Sequence, residues 1–261
     1  MFTTQLIILT IFVLAIFYMV KFLQKKKVKV TQPVPPLLKT ILQEQVPFYQ
    51  QLNENRKTEF EERTIHFLTQ VKVTGVKTVV EDLDRVLLAA SAIISIFNFQ
   101  GWEYPNLNEV LLYPDSFDHE FEQQGDDRNI LGMVGSGALN QVMILSQFEL
   151  RQAFINETGK NNTAIHEFVH LVDKTDGEID GVPESLLNKQ YIKPWLQLMQ
   201  EKIKEIIDDR SDINPYGATN EAEFFAVVSE YFFERPELLK EKHPELYELL
   251  LKIFHPEPVS G

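Results

Sequence analysis

The segment Asn162-Thr163-Ala164-Ile165-His166-Glu167-Phe168-Val169-His170-Leu171-Val172-Asp173 contains a His-Glu-x-x-His word. On an α-helix, residues four apart stand one above the other, so His166 and His170 can offer their imidazoles to a single cation. Glu167 follows the first histidine and can reach a water held by that cation. Two imidazoles beside a carboxylate that is free to carry a proton make up the working half of a zinc-dependent peptide hydrolase. The plain alternative is a surface helix with two unrelated histidines.

A catalytic metal of this kind needs a third protein ligand and an open position for water. His66, His119, His243 and His255 stand in helical or loop contexts with no matching partner, which suits surface or capping roles. The segment from Phe224 to Phe233 is apolar almost all the way round and is expected to be buried. A carboxylate on such a helix is costly unless it is paired or bound to a metal. Glu223 and Glu230, seven residues apart, share a face, while Glu221 points away from it. Two turns separate them by about 10 Å along the axis, so one ion cannot take both. Spacing leaves the third ligand open between these two.

The elements that must position these groups are partly legible. Asn161, Asn162 or Thr163 can cap the motif helix, which places the histidines in its first turns. Val110–Pro114 and Gln141–Ser146 read as short strands, with a turn at Gly135-Ser136-Gly137 before the second. Leu37–Leu42, Lys57–Gln70, Asp82–Phe97 and Trp195–Asp209 read as helices. In the third, Leu83, Leu87, Ala90, Ile94 and Phe97 form one apolar face. Phe117–Arg128 is acidic and reads as a surface loop or irregular strand. The Asp176–Pro183 loop lacks the spacing and final glutamate of a calcium-binding EF-hand and reads as an ordinary polar loop.

The chain has 261 residues and no cysteine, which excludes disulfides and cysteine-held metals. Any transition metal must be held by His, Asp or Glu. Residues 1–30 hold five of the 25 Lys and Arg and none of the 38 Asp and Glu, so the remainder is strongly acidic. Such a body repels phosphate backbones, which argues against nucleic acid as a partner.

Leu6 to Val20 is an uninterrupted run of mostly apolar residues, extended by Phe22 and Leu23 around Lys21. It is long enough to span a bilayer. No basic residue precedes it, and Lys25-Lys26-Lys27 stands where a signal-peptide cleavage site would lie. An uncleaved anchor over residues 1–24 is expected, with the lysines and everything after them on the cytoplasmic side of a bacterial inner membrane. Residues 25–36, basic and then proline-rich, read as a stiff linker, and residues 37–261 as one domain.

The word at His166–Asp173, joined to Tyr216-Gly217-Ala218-Thr219-Asn220-Glu221-Ala222-Glu223-Phe224-Phe225-Ala226, resembles the Mlc titration factor A (MtfA) family of zinc peptidases. It is also similar to the catalytic domain of anthrax lethal factor. The likeness covers roughly residues 60 to 255 in layout and is specific in those two segments. It implies an α+β fold, a zincin-like metallopeptidase domain that is mostly helical with a small mixed sheet, to which the apolar run adds one expected N-terminal transmembrane helix. It further implies that His166, His170 and Glu223 bind Zn2+, that Glu167 is the catalytic base and that Tyr216 donates to the oxyanion. Glu230 is then a buried structural carboxylate or one that supports a ligand, and Asp173 a residue that orients a ligand or a simple surface acid. The implied partners are a peptide or protein substrate and a regulatory protein, although the anchor departs from the family's soluble type member. The strand at Val142–Leu145 is the expected edge for an extended substrate. The competing class is a membrane-anchored protein that sequesters a transcriptional regulator, its zinc site structural or vestigial.

Overall fold

Helix α4, Asp82–Ile96, begins at a reciprocal cap in which the Glu81 and Asp84 side chains each accept from the other's backbone N–H. Every residue from Asp84 to Ile96 is buried. The sequence suggested a one-sided apolar stripe. Burial is all-round because Ala89, Ala90, Ser91, Ala92 and Ser95 let neighbours approach closely on the other side, while Ser91 and Ser95 return their hydroxyls to Leu87 O and Ser91 O. The fully buried Asp84 takes Arg151 Nε at 2.6 Å and Gln147 Nε2 at 2.7 Å, which ties α4 to the helix that carries both partners.

The structure, a computed structural model, describes residues 32–99, 101–118, 130–135, 139–156, 159–184 and 186–255. The remaining elements, in chain order, are α1 Leu38–Gln45, α2 Pro47–Gln50, α3 Glu54–Gln70, β1 Lys72–Gly75, β2 Glu109–Tyr113, β3 Gly132–Val134, β4 Val142–Ser146, α5 Gln147–Ile155, α6 Thr163–Asp173, α7 Lys189–Ile207, α8 Glu221–Glu234, α9 Pro236–Lys242 and α10 Pro244–Phe254. Short 3-10 turns at Lys174–Asp176 and Pro215–Ala218 follow α6 and precede α8. The domain is therefore α+β, mostly helical, with α1, α3, α5 and α6 all packed on α4.

The four strands lie in the order β1-β2-β4-β3, the first three parallel and β3 antiparallel to β4. Alternate residues Val73, Val110, Leu112, Met143 and Leu145 face the main helical core. On the other face Tyr113, Phe117 and Ile144 form a small second cluster. The expected strands at Val110 and Gln141 are β2 and β4, while β1 and β3 were not anticipated. Helix α7 begins six residues before Trp195 and runs through Pro194.

The expected anchor over residues 1–24 lies outside the described residues, as do the Gly135–Gly137 turn beyond Gly135 and most of Phe117–Arg128. No helix among the described residues is long and apolar enough to cross a membrane. The last residues of the expected linker are seated on the domain rather than held apart from it. The Gln32 amide exchanges two hydrogen bonds with the Val73 backbone, and Pro33 O accepts from Arg85 at 2.6 Å.

Candidate metal centre

Asn162 opens α6. Its Oδ1 accepts from Ile165 N at 3.1 Å, and the residue is fully buried. Of the three caps open in the sequence, this is the one used. His166 and His170 then fall on one side of the helix with their Nε2 atoms 3.1 Å apart. Glu223, in the first turn of α8, brings Oε2 to 2.9 Å from His166 Nε2 and 3.4 Å from His170 Nε2. Asn220 sets that turn by accepting from Glu223 N. Ligand atoms about 2.0–2.1 Å from a tetrahedral zinc lie roughly 3.3 Å from one another. The three observed separations bracket that value, so these residues fit a tetrahedral cation with a fourth position left for water.

The choice that spacing left open is made by the docking of α8 on α6. Glu230 reaches the opposite edge of the same imidazole, its Oε1 lying 2.7 Å from His166 Nδ1. Its second oxygen accepts from Asn162 N at 2.6 Å. A carboxylate on the far ring nitrogen fixes which nitrogen is free for a metal and makes it more basic. His170 Nδ1 is buried and has no hydrogen-bond partner among the described residues.

Electrostatics concentrate negative potential at this point. Burial works against charge on His166, yet the bonds to Glu223 and Glu230 push its pKa up to about 10. Burial would raise Glu223, but hydrogen bonds from the two histidines draw it down to about 2. Glu167 is held above the ordinary carboxylate value, first by burial, with the histidines opposing and Glu223 and Glu230 reinforcing.

Glu167 faces a cleft of about 640 Å³ shared with His166, His170, Tyr216, Glu223 and the β3 residues Gly132 to Val134. The expected substrate strand, β4, is corrected here. It is hydrogen-bonded to β2 on one side and β3 on the other, so it has no free edge. The edge that borders the cleft is β3. Gly135 N bonds Val142 O, and Ser146 N bonds Leu131 O. By antiparallel alternation the backbone groups of Gly132 and Val134 therefore turn away from β4. Gly132 also leaves space that the Glu167 and Leu145 side chains fill. A Cβ there would stand 2.8 Å from both Cγ and Oε1 of Glu167 and 2.8 Å from Leu145 Cδ2. Gly132→Ala is expected to lower turnover roughly 100-fold by displacing the carboxylate while metal content stays unchanged. Inductively coupled plasma analysis beside a peptide-cleavage assay reads both, and full activity in the variant would refute the contact.

Tyr216 stands on the 3-10 turn before α8 with its ring 5.9 Å from that of His166, and it is 52% exposed. Burial, then Glu223 and Glu167, raise its pKa. Of the two roles left open for Asp173, that of a surface acid is excluded. It is fully buried, and Oδ2 accepts from Gly181 N at 2.8 Å, holding the loop after α6. Trp195 Nε1 donates to Gly181 O from the other side. His243 is likewise no surface residue: it is buried at the α9–α10 junction, with Nε2 2.7 Å from Asp212. His66 is exposed and paired with Glu103, and His119 lies outside the described residues.

A family model described as glucose-regulated metallo-peptidase M90 matches residues 20–255, a span that holds all of these groups. The chain belongs to the M90 metallopeptidase family. Among its relatives, an uncharacterized protein of Synechocystis sp. is 30% identical over 243 residues, 87% of this chain and 86% of that protein. Mlc titration factor A of Pectobacterium atrosepticum is 34% identical over 167 residues, 59% of this chain and 61% of that protein. The match to Mlc titration factor A of Yersinia enterocolitica is weaker, 26%, but covers 82% of this chain and 84% of that protein. The chain thus spans less than two thirds of the Pectobacterium protein. The resemblance to the Mlc titration factor A family is shown by these matches, which leave the likeness to lethal factor as an expectation from the motif.

In this M90 member, several supporting residues escaped the sequence reading. Gly132 gives no local signal, since its neighbour Glu167 is remote in the chain. Glu234 stands four residues after Glu230 and so on the same face of α8, a spacing that could have flagged it. Asp212 accepts from Lys160, Tyr231, Lys242 and His243, which pins the segment leading to Tyr216 against the segment leading to Asn162. Nothing in the spacing of these residues announces that cluster.

Proposed function

We propose that the chain is a zinc-dependent peptidase in which His166, His170 and Glu223 hold the metal and Glu167 is the general base. The observation that carries this reading is the convergence of two Nε2 atoms and one carboxylate oxygen at tetrahedral spacing, with a further buried carboxylate in the same cleft. Bound there, zinc supplies a water of near-neutral pKa and polarises the scissile carbonyl. Glu167 accepts the proton of the attacking water and delivers it to the leaving amine. Glu230 keeps His166 oriented and its Nδ1 proton in place. Tyr216 donates its O–H to the oxygen on which negative charge builds. The outer edge of β3, which pairs with no further strand among the described residues, aligns an extended substrate through the backbone groups of Gly132 and Val134.

Zinc content measured together with chelator-sensitive cleavage of a peptide panel tests the assignment. A zinc-replete protein that cleaves nothing would sink it in favour of the second reading, a protein that binds and sequesters a transcriptional regulator. That second reading is supported by the names of the relatives, which are called titration factors of Mlc. Tyr216→Phe is expected to depress kcat roughly 10²–10³-fold, as loss of one oxyanion donor does, with little change in KM or zinc content.

We also infer that residues 1–24 tether the enzyme to the cytoplasmic face of a membrane. The support is the apolar run and the lysines that follow it. Release of the full chain from membranes by high salt alone would refute the anchor.

A further inference from the structure

A second cavity, of about 560 Å³, opens between α2, α5, the C-terminal end of α8 and α10. It shares no lining residue with the catalytic cleft. Phe48, Phe154, Phe232, Phe233 and Tyr247 give it aromatic walls, and Ile165 brings the first turn of α6 to its inner surface. Its size and lining are those of a site for a drug-sized molecule.

The charged groups on its wall are Glu234, Glu237, Arg235 and His255. Arg235 is already engaged. His255 is held below its ordinary pKa, by burial and then by the nearby Arg56, which works against positive charge there. The carboxylates on the wall are Glu234 and Glu237, of which Glu234 is the less exposed. Glu234 Oε1 accepts a single neutral bond, from Asn162 Nδ2 at 2.9 Å. Burial, with Glu230 adding to it and Asn162 opposing, pushes Glu234 up to about 7. A cation placed against it would recover the solvation that burial removes.

Glu234 is also wired to the metal centre. Asn162 commits Oδ1 to the cap of α6, which leaves Nδ2 for Glu234. The backbone N–H of Asn162 donates to Glu230 at 2.6 Å, and Glu230 holds His166 Nδ1 at 2.7 Å. We propose that this cavity is a second ligand site, which takes a small arylalkyl ammonium compound with its cation on Glu234, and that occupancy reaches the metal through Asn162, Glu230 and His166. Binding stands independently of the peptidase reading; only its transmission rests on the metal centre.

The test is a calorimetric titration of the full-length, zinc-loaded protein with 2-phenylethylammonium, 2-phenylethanol and 3-phenylpropionate. The ammonium compound is expected to bind saturably and at least about tenfold more tightly than the alcohol or the anion. Glu234→Gln is expected to weaken it at least about tenfold. Saturating ammonium compound should also change the rate of zinc transfer to a chelator about threefold or more in the wild type and not in Glu234→Gln. Absence of saturation, equal binding of the three probes, or unchanged binding by Glu234→Gln would each overturn the site. Glu234-dependent binding with an unchanged zinc-transfer rate would overturn the transmission. If the chain takes up no zinc, the titration still decides the cavity, and the metal reading alone fails.

Discussion

Glu167→Gln protein is expected to retain its zinc, fold normally and lose peptide turnover by roughly 10²–10⁴-fold. Metal retention follows from geometry, because the converging atoms belong to His166, His170 and Glu223. Normal folding follows from electrostatics. In the metal-free protein burial holds the Glu167 pKa above its unfolded value, so as pH rises past the unfolded value ionisation progressively disfavours the folded state. Glutamine removes this cost, and the metal-free variant should melt no lower than the metal-free wild type at neutral pH. Turnover, zinc content and thermal midpoint measured on one preparation separate the possibilities. Activity near the wild-type level would remove Glu167 from the chemistry, and a fall in zinc content would make it a ligand.

Glu223→Gln and Glu230→Gln should part company in a competition titration against a zinc chelator. The first replaces an anionic ligand with a neutral one and is expected to leave the protein largely zinc-free after dialysis. The second keeps all three ligands but replaces the anionic partner of His166 Nδ1 with a neutral amide, which lowers affinity by roughly 10–100-fold. Glu230 also accepts from Asn162 N, so its loss loosens the start of α6 as well. Zinc lost from Glu230→Gln and kept by Glu223→Gln would exchange the two roles.

What could be read in advance divides by the range of the interaction. The His166–His170 word and its cap belong to a single helix, and periodicity suffices for both. Glu223 and Glu230 lie on one face of α8, so only the angle at which α8 crosses α6 says which carboxylate meets Nε2 and which meets Nδ1. The sheet misled in an instructive way. Strand β4 has the strongest apolar run because it is paired on both sides, and for the same reason it cannot pair with a substrate. On the proposed reading strand β3 does so instead, but its Gly132, Met133 and Val134 are half-buried and too few to show a period. Helix α4 was under-read as amphipathic because alanine and serine count little toward an apolar face, though they are what permits close packing. Gly132 and Asp212 act on residues remote in sequence, and no local pattern encodes such contacts.

Tyr216 differs from the groups it serves. His166, Glu167 and His170 are nearly closed off from solvent on a helix packed into the core, while Tyr216 is half in water on a short 3-10 turn. On the proposed reading, this sets an order of events. The metal can be held before any peptide arrives, whereas the tyrosine's contact is completed only once a substrate covers it. On that reading, changes on the turn that carries Tyr216 should tune speed and substrate range while metal retention stays constant.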